Sequence, residues 1–138
     1  MSQLNPYLHF TDKAREAMQF YQSVFGGELN VMQFKDMPFP GMSEADGDKV
    51  MHASLTGKDI TFFASDTPSH MPANPGNSIS MSLSGSDEAE LRGYFDKLAS
   101  GGNVIQPLEK APWGDTFGML TDKYGIEWLV NVDGQHQQ

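Results

Sequence analysis

One pattern occurs twice in this sequence, and it limits the fold more than any other feature. The stretches "TDKAREAMQFYQSVFGG" and "SDEAELRGYFDKLASGG" each begin near an aspartate and end in two glycines. Asp87 follows Asp12, and Gly101 follows Gly26, at the same spacing of 75 residues. Both stretches carry apolar residues at helical spacing, and a helix with one apolar face needs a sheet to pack on. The repeat therefore predicts two copies of one helix-on-sheet unit.

The first half of the chain has one predicted strand before its helix and three after it. The strands lie in "NPYLHF", "ELNVMQF", "KVMHASL" and "DITFFASD", with a turn at Gly57 and Lys58. Thr11 or Asp12 is the predicted cap of the helix, and a glycine pair ends it. The apolar face of this helix is predicted to comprise Ala14, Ala17, Met18, Tyr21 and Phe25.

The second half repeats this order of elements. Its predicted strands lie in "NSISMSLSG", "NVIQPLEKA", "DTFGMLTD" and "IEWLVNV". In the first of them serines alternate with Ile79, Met81 and Leu83, which is typical of a half-buried strand. Ser86 or Asp87 is the predicted helix cap. The apolar face of the second helix is predicted to comprise Leu91, Tyr94, Phe95 and Leu98.

These elements predict an α+β protein built from two βαβββ units. We expect a single domain over residues 1–138, with the first repeat at 4–67, a Pro-rich linker at 68–76 and the second repeat at 77–133. With both helices outside, the two mixed sheets would curve towards each other and form a cup. Such a cup would offer a site for a small molecule.

The composition argues against several classes of function. The net charge of −9 disfavours nucleic acid and anionic membranes as partners, because both need a basic surface. There are no cysteines, which excludes disulfides and thiolate chemistry. No apolar run approaches the roughly 20 residues that cross a bilayer, and "MSQLNPYLHF" lacks the features of a signal peptide. We therefore expect a cytoplasmic protein without nucleic-acid or membrane partners.

Strand alternation predicts which side chains face the cup. In the first strand Leu8 and Phe10 suit the helix, which leaves Tyr7 and His9 for the cup. In later strands the same rule assigns to the cup Val50, His52, Ser54, one of Phe62 and Phe63, the serines of "NSISMSL", and Trp128. The predicted ligand-binding residues are Tyr7, His9, His52, Phe62, Ser80, Trp113, Phe117 and Trp128.

Two of the four histidines, His9 and His52, lie in predicted strands, whereas His70 lies in the linker and His136 in the C-terminal tail. Histidine can act as a general acid or base near neutral pH and is a common metal ligand. The alternative is a structural histidine that is hydrogen-bonded to backbone. No spacing in the chain matches a local metal motif. His9 and His52 are therefore candidate catalytic residues, and both interpretations stay open.

The turn around Trp113 allows two interpretations as well. Trp113 is either a core aromatic residue of a hairpin or a wall of the ligand pocket. Asp115, two residues later, either caps the turn or orients a ligand.

Several motifs together resemble a known superfamily. They are "NPYLHF", "EAMQFYQSVFGGEL", "KVMHASL", "SDTP" and "GGNVIQPLEKAPWGDTFGMLTDKYGIEWLVN", and they extend over residues 5–131. With them the chain resembles the vicinal oxygen chelate superfamily, which includes glyoxalase I and the bleomycin-resistance proteins. The closer resemblance is to its PhnB-like branch, often labelled demethylubiquinone methyltransferase-like. This resemblance implies paired βαβββ units and a homodimer.

The resemblance also bears on metal binding. Metal-dependent members of the superfamily place four His or Glu ligands on strands that face the cup. The resemblance carries these positions to Asn5, Phe62, Ser78 and Trp128, and none of them is a strong ligand for Zn, Ni or Fe. A slip of one residue would put Glu127 at the fourth position. We therefore expect no metal cofactor, and a divalent metal held by His9 and His52 stays an alternative.

The sequence thus predicts a protein that binds a small apolar or aromatic metabolite in the cup without the usual metal. The alternative is a metal-dependent or histidine-based enzyme of lyase, isomerase or dioxygenase type that acts on a small oxygenated substrate. In it His9 or His52 would be the base, with or without a metal. A third interpretation is a dimeric domain whose cup is filled by side chains. The methyltransferase label lacks support, because both glycine pairs end helices and neither opens one to hold S-adenosylmethionine.

Overall fold

The computed structural model describes residues 2–37, 40–68, 72–74 and 76–134. The chain divides into two compact units, Met1–Asn74 and Pro75–Gln138. His70 and His136, which the sequence placed in the linker and the tail, lie outside the described residues. Among the described residues, no helix is long and apolar enough to cross a membrane.

The first unit is a four-stranded mixed sheet with one helix packed against it. Its elements are β1 (Tyr7–Phe10), α1 (Ala14–Phe25), β2 (Glu28–Gln33), β3 (Val50–Thr56) and β4 (Thr61–Asp66). The strand order is β1-β4-β3-β2, and only the β1–β4 pair among these is parallel. Two short 3-10 helices, Phe34–Asp36 and Glu44–Asp46, lie between β2 and β3. The buried face of α1 comprises Ala14, Ala17, Met18, Tyr21 and Val24.

The second unit repeats this topology. Its elements are β5 (Met81–Gly85), α2 (Glu88–Ala99), β6 (Asn103–Lys110), β7 (Thr116–Thr121) and β8 (Glu127–Val132), in the sheet order β5-β8-β7-β6. The β5–β8 pair is parallel, as the β1–β4 pair is. Two βαβββ units are therefore confirmed. The strand β5 is shorter than predicted, because residues 77–80 lie outside it.

The two helices are capped in different ways. Asp87 caps α2 as predicted, since its Oδ1 accepts a hydrogen bond from the Glu90 amide at 3.1 Å. The predicted cap of α1 is wrong, because neither Thr11 nor Asp12 caps it and Lys13 precedes the helix without a side-chain cap. The first amide of α1, that of Ala14, donates to Asp66 Oδ1 at 2.9 Å. The cap of α1 therefore comes from the end of β4, a distant position that a local pattern cannot show.

A bulge in the β2–β3 ladder changes one predicted orientation. Met32 pairs with His52, but its neighbour Gln33 pairs with Val50, so the register skips Met51. Val50 is consequently buried, with 1% of its surface exposed, as Ala53 and Leu55 are. The prediction that Val50 shares the face of His52 is therefore wrong, because the bulge breaks the alternation between them.

Candidate functional site

The side of the first sheet opposite α1 carries the candidate site. Ring contact between Phe62 and Tyr21 shows which side of β4 faces the helix, and Phe63 points the other way. In the parallel β1–β4 ladder Tyr7 lies beside Phe63, and His9 lies beside Ser65. We call this surface the histidine face, and it comprises Tyr7, His9, His52, Phe63 and Ser65.

Tyr7 is at the centre of the histidine face. Its Oη lies 3.1 Å from His52 Nδ1, which is a hydrogen bond between β1 and β3. Its ring centroid lies 5.1 Å from that of His9, 5.7 Å from that of His52 and 6.1 Å from that of Phe63. The rings of His52 and Phe63 are 5.3 Å apart. These separations fall in the range in which aromatic pairs attract each other, so the four rings form one cluster.

His9 has a second polar contact on the same face. Its Nδ1 lies 3.4 Å from Ser65 Oγ, and Ser65 is buried with 8% of its surface exposed. Both candidate histidines are therefore oriented by a hydroxyl group at Nδ1. The prediction that Tyr7, His9 and His52 share one face agrees with this arrangement, and their roles stay a prediction.

Phe62 does not belong to this face. Its side chain is buried with 2% of its surface exposed, and its ring packs edge-on against Tyr21 of α1 at 5.6 Å between centroids. Phe62 therefore faces α1 although it was among the predicted ligand-binding residues, and Phe63 is the aromatic residue beside Tyr7. The sequence left the choice between Phe62 and Phe63 open. The ring contact of Phe62 with Tyr21 of α1 decides it.

The predicted orientation of Trp128 is wrong as well. Trp128 pairs with Leu120, and both lie on the buried side of the second sheet with Val130. Gly118, opposite Val130, is directly beside Phe95 of α2, which identifies this side as the helix side. The indole Nε1 of Trp128 donates to Asp122 Oδ2 at 2.8 Å. A buried tryptophan needs such an acceptor, and Asp122 supplies it away from the predicted cup.

The remaining predicted residues belong to the second unit. Trp113 is 58% exposed in the turn between β6 and β7, with its ring centroid 6.1 Å from that of Phe117. Ser80 Oγ donates to Glu127 Oε2 at 3.3 Å. The grouping of Ser80, Trp113 and Phe117 with the histidine face around one ligand stays a prediction.

A polar groove of about 690 Å³ also lies in the second unit. Its lining includes Ser86, Glu88, Lys110, Thr116, Val132 and Asp133. Asp115 lies beside this groove, and its Oδ1 accepts a hydrogen bond from the Gly134 amide at 2.9 Å while its Oδ2 accepts one from Asn131 Nδ2 at 3.1 Å. Asp115 therefore joins the turn to β8 and the residue pair after it, and its two interpretations, a cap of the turn or a group that orients a ligand, stay predictions.

A group of charges surrounds Lys49, just before β3. Its ammonium forms ion pairs with Asp12 and, at 4.0 Å, with Asp46, and 12% of its side chain is exposed. The hydrogen bond to Asp12 raises the pKa of Lys49 above its ordinary value, and the charges of Asp12, Asp46 and Asp66 act in the same direction, whereas desolvation opposes them. This group joins the β1–α1 turn to the segment before β3.

The positions that the superfamily uses for metal ligands do not suit a metal in this chain. Asn5 donates through Nδ2 to the Thr61 carbonyl at 3.4 Å, and both Phe62 and Trp128 face helices. Glu127 is on the other side of β8 from Trp128 and accepts from Ser80. Within residues 2–37, 40–68, 72–74 and 76–134, no three His, Cys, Asp or Glu side chains are grouped so that they could hold a metal ion. The inherited donor set therefore does not fit a metal.

The sequence matches an established family over most of its length. The matching family model is described as 3-demethylubiquinone-9 3-methyltransferase and covers residues 2–131. The chain belongs to this family. The match agrees with the PhnB-like resemblance found in the sequence.

Three relatives are similar over nearly the whole chain. The crystal structure of protein PA1353 from Pseudomonas aeruginosa is 37% identical, with 98% of this chain and 100% of that chain covered and a TM-score of 0.87. A putative 3-demethylubiquinone-9 3-methyltransferase, PhnB protein, from Bacillus cereus is 29% identical, with 96% and 100% covered and a TM-score of 0.73. Protein YjdN of Escherichia coli is 28% identical over 94% of both chains.

A more distant structure supports the fold alone. A glyoxalase/bleomycin resistance protein from Albidiferax ferrireducens is 14% identical, with 96% of this chain and 99% of that chain covered and a TM-score of 0.61. The chain therefore has the fold of a glyoxalase/bleomycin resistance protein, as the repeat and the motifs predicted.

Proposed function

We propose that this chain binds a small apolar or aromatic metabolite at the histidine face, without the metal that many members of the superfamily use. The observation that carries the proposal is the Tyr7–His52 hydrogen bond within a cluster of four rings. Small-molecule sites combine an apolar, aromatic lining with a few polar groups that fix orientation. The histidine face offers both kinds of group on adjacent strands.

Each side chain of the cluster has a distinct part in this proposal. The rings of Tyr7 and Phe63 supply apolar surface for a planar ligand. His9 and His52 supply polar nitrogens, and the buried Ser65 holds His9 in place. Ser80, Trp113 and Phe117 belong to the second unit, and their part in ligand binding stays a prediction.

Thermal-shift screening with small aromatic compounds tests the proposal. A ligand at 100 times its dissociation constant stabilises the folded state by about 2.7 kcal/mol, so genuine ligands raise the Tm clearly. We expect the Tm shift to disappear in Phe63→Ala and in His52→Ala. Phe20→Ala is the matched variant, because it removes an aromatic residue of α1, which packs on the opposite side of the same sheet. If hits act equally on wild type and on Phe63→Ala, the proposal is wrong.

A second candidate is an enzyme in which His9 or His52 acts as the base. The Tyr7–His52 pair favours it, since a tyrosine hydroxyl and an imidazole joined by a hydrogen bond can pass a proton between them. Metal analysis of protein purified without chelators separates the two candidates. Stoichiometric metal that is lost in a His9→Ala/His52→Ala variant would favour a metal-dependent enzyme of lyase, isomerase or dioxygenase type.

The methyltransferase activity in the family's description is not part of this proposal. Such an activity needs a site for S-adenosylmethionine, commonly a glycine-rich turn from a strand into a helix. In this chain Gly26 and Gly27 follow α1, and Gly101 and Gly102 follow α2. Neither pair forms a strand-to-helix turn.

We also propose that the chain forms a homodimer and acts in the cytoplasm. The resemblance to the superfamily supports the dimer, and the edge strand β6 exposes Val104 and Ile105. Sedimentation or light scattering of the purified protein tests the dimer, and a monomer at all concentrations would contradict it.

A further inference from the structure

We infer that Tyr7 fixes neutral His52 as the tautomer with its proton on Nε2, so that the histidine face presents an N–H donor to a ligand oxygen. The part that concerns the ligand rests on the proposed function. The part that concerns the tautomer does not, because it is a property of the free protein.

The direction of the Tyr7–His52 hydrogen bond decides the tautomer. Tyr7 Oη and His52 Nδ1 are 3.1 Å apart, so one donates to the other. A neutral imidazole has one nitrogen that donates and one that accepts. The phenolic oxygen is a weak acceptor because its lone pair is delocalised into the ring, whereas the unprotonated imidazole nitrogen is a strong acceptor. Tyr7 therefore donates to Nδ1, and the proton of His52 is on Nε2.

The surrounding rings keep His52 in this orientation. Its ring centroid lies 5.7 Å from that of Tyr7 and 5.3 Å from that of Phe63, so it packs against two aromatic side chains. With Nδ1 engaged by Tyr7, Nε2 is the ring nitrogen left for a ligand. Within the described part of the chain, no hydrogen bond to Nε2 of His52 is formed.

His9 is the natural internal reference. Its Nδ1 lies 3.4 Å from Ser65 Oγ, and an aliphatic hydroxyl donates and accepts with comparable ease. The contact with Ser65 therefore does not select one tautomer as strongly as the contact with Tyr7 does. Substitution of Tyr7 should therefore change the tautomer of His52 much more than that of His9.

This arrangement predicts the chemical class of the ligand. A planar molecule that packs against Phe63 and Tyr7 would meet the Nε2 proton of His52 with any oxygen that accepts a hydrogen bond. A carbonyl and a carboxylate both have such an oxygen. A purely hydrocarbon ring would leave the imidazole proton without a partner, which costs affinity.

The tautomer is measured by long-range proton–nitrogen NMR of the histidine rings, at a pH where both are neutral. We expect His52 to carry its proton on Nε2 in the wild type, and we expect Tyr7→Phe to raise the share of the Nδ1-protonated form to that of a free neutral imidazole. Phe63→Leu is the control, because it removes a ring next to His52 and leaves the hydroxyl of Tyr7 in place. A proton on Nδ1 in the wild type, or an unchanged His52 in Tyr7→Phe, would overturn the inference.

The ligand class is measured by titration with acetophenone, benzoate and toluene. One hydrogen bond contributes a factor of roughly 3 to 10 in affinity, so acetophenone or benzoate should exceed toluene by that factor in the wild type. The two acceptors distinguish a carbonyl from a carboxylate ligand. Equal binding of all three would overturn the ligand class and leave the proposed function intact. Binding of none would contradict the proposed function, while the tautomer is decided separately by NMR.

Discussion

The indole nitrogen of Trp128 donates a hydrogen bond to the buried carboxylate of Asp122 at 2.8 Å. The same carboxylate accepts from the amides of Tyr124 at 2.8 Å and Ile126 at 3.1 Å. Trp128 is thereby tied to the turn between β7 and β8, on the side of the sheet that faces α2. This contact assigns a structural role to a residue that the sequence placed in a ligand site.

Trp128→Phe tests that role. The change removes one buried hydrogen bond to a charged group, so we expect a loss of about 1–3 kcal/mol in the free energy of unfolding. Trp113→Phe is the matched change in the same unit, and as an exposed substitution it should stay within about 0.5 kcal/mol of wild type. Urea unfolding measures both. Ligand binding at the histidine face should be unaffected in Trp128→Phe, and a loss of binding in this variant would contradict the structural role of Trp128.

Asp66 is expected to be one of the most important polar residues for stability. Its two carboxylate oxygens accept from the amides of Ala14 and Val50, each at 2.9 Å, and it is buried. Asp66→Ala leaves both amides without a partner and should cost about 2–4 kcal/mol. Asp87→Ala removes the exposed cap of α2 and should cost about 0.5–2 kcal/mol. If denaturant unfolding gives equal losses, α1 is not capped from β4.

Alanine substitutions at two glycines of the second unit should change the free energy of unfolding in opposite directions. A Cβ at Gly118 would lie 2.8 Å from Phe95 Cε2 and 2.9 Å from Leu108 Cα, so Gly118→Ala should destabilise by about 1–3 kcal/mol. A Cβ at Gly93, within α2, would meet no atom within 4 Å, and Gly93→Ala should stabilise by about 0.5–1 kcal/mol. Thermal unfolding of both variants checks the signs. A neutral Gly118→Ala would show that α2 lies farther from β7 than described.

We expect the contribution of Lys49 to the stability of the fold to be lost at alkaline pH. The folded chain holds the proton of Lys49 more tightly than the unfolded chain does, since Asp12 raises its pKa. The stabilisation is therefore complete below the ordinary lysine pKa of 10.5 and is lost as the pH rises through the raised value. The gap in unfolding free energy between wild type and Lys49→Met should shrink in that range.

Lys35→Met is the control for the pH experiment. Lys35 pairs with Asp48 at 2.8 Å, but both side chains are largely exposed, and exposed ion pairs contribute little to stability. We expect a small effect of Lys35→Met throughout the pH range. If the difference in unfolding free energy between wild type and Lys49→Met does not change at alkaline pH, the ion pairs of Lys49 do not stabilise the fold.

The repeat was sufficient to predict the fold because it consists of local sequence patterns, which are visible without knowledge of the tertiary structure. Apolar residues at helical spacing placed α1 and α2, and glycine pairs placed their ends. The caps show the limit of this reasoning. Asp87 acts on its own helix and was predicted, whereas Asp66 acts on a helix more than 50 residues away in the chain and could not be.

The site was predictable only where strand alternation is regular. Tyr7 and His9 lie on a short strand without irregularities, and they share a face as expected. Alternation fails at Val50 because of the bulge in the β2–β3 ladder. It cannot distinguish Phe62 from Phe63, since both are apolar and one faces each side. For Trp128 the deciding factor is the acceptor on Asp122, and no spacing in the sequence indicates it.

Amide chemical-shift mapping with a compound found by thermal shift tests most directly whether ligands bind at the histidine face. We expect saturable shifts centred on Tyr7, His9, His52 and Phe63. Shifts confined to the groove around Lys110 and Thr116, or no saturable shifts for any compound that raises the Tm, would contradict it.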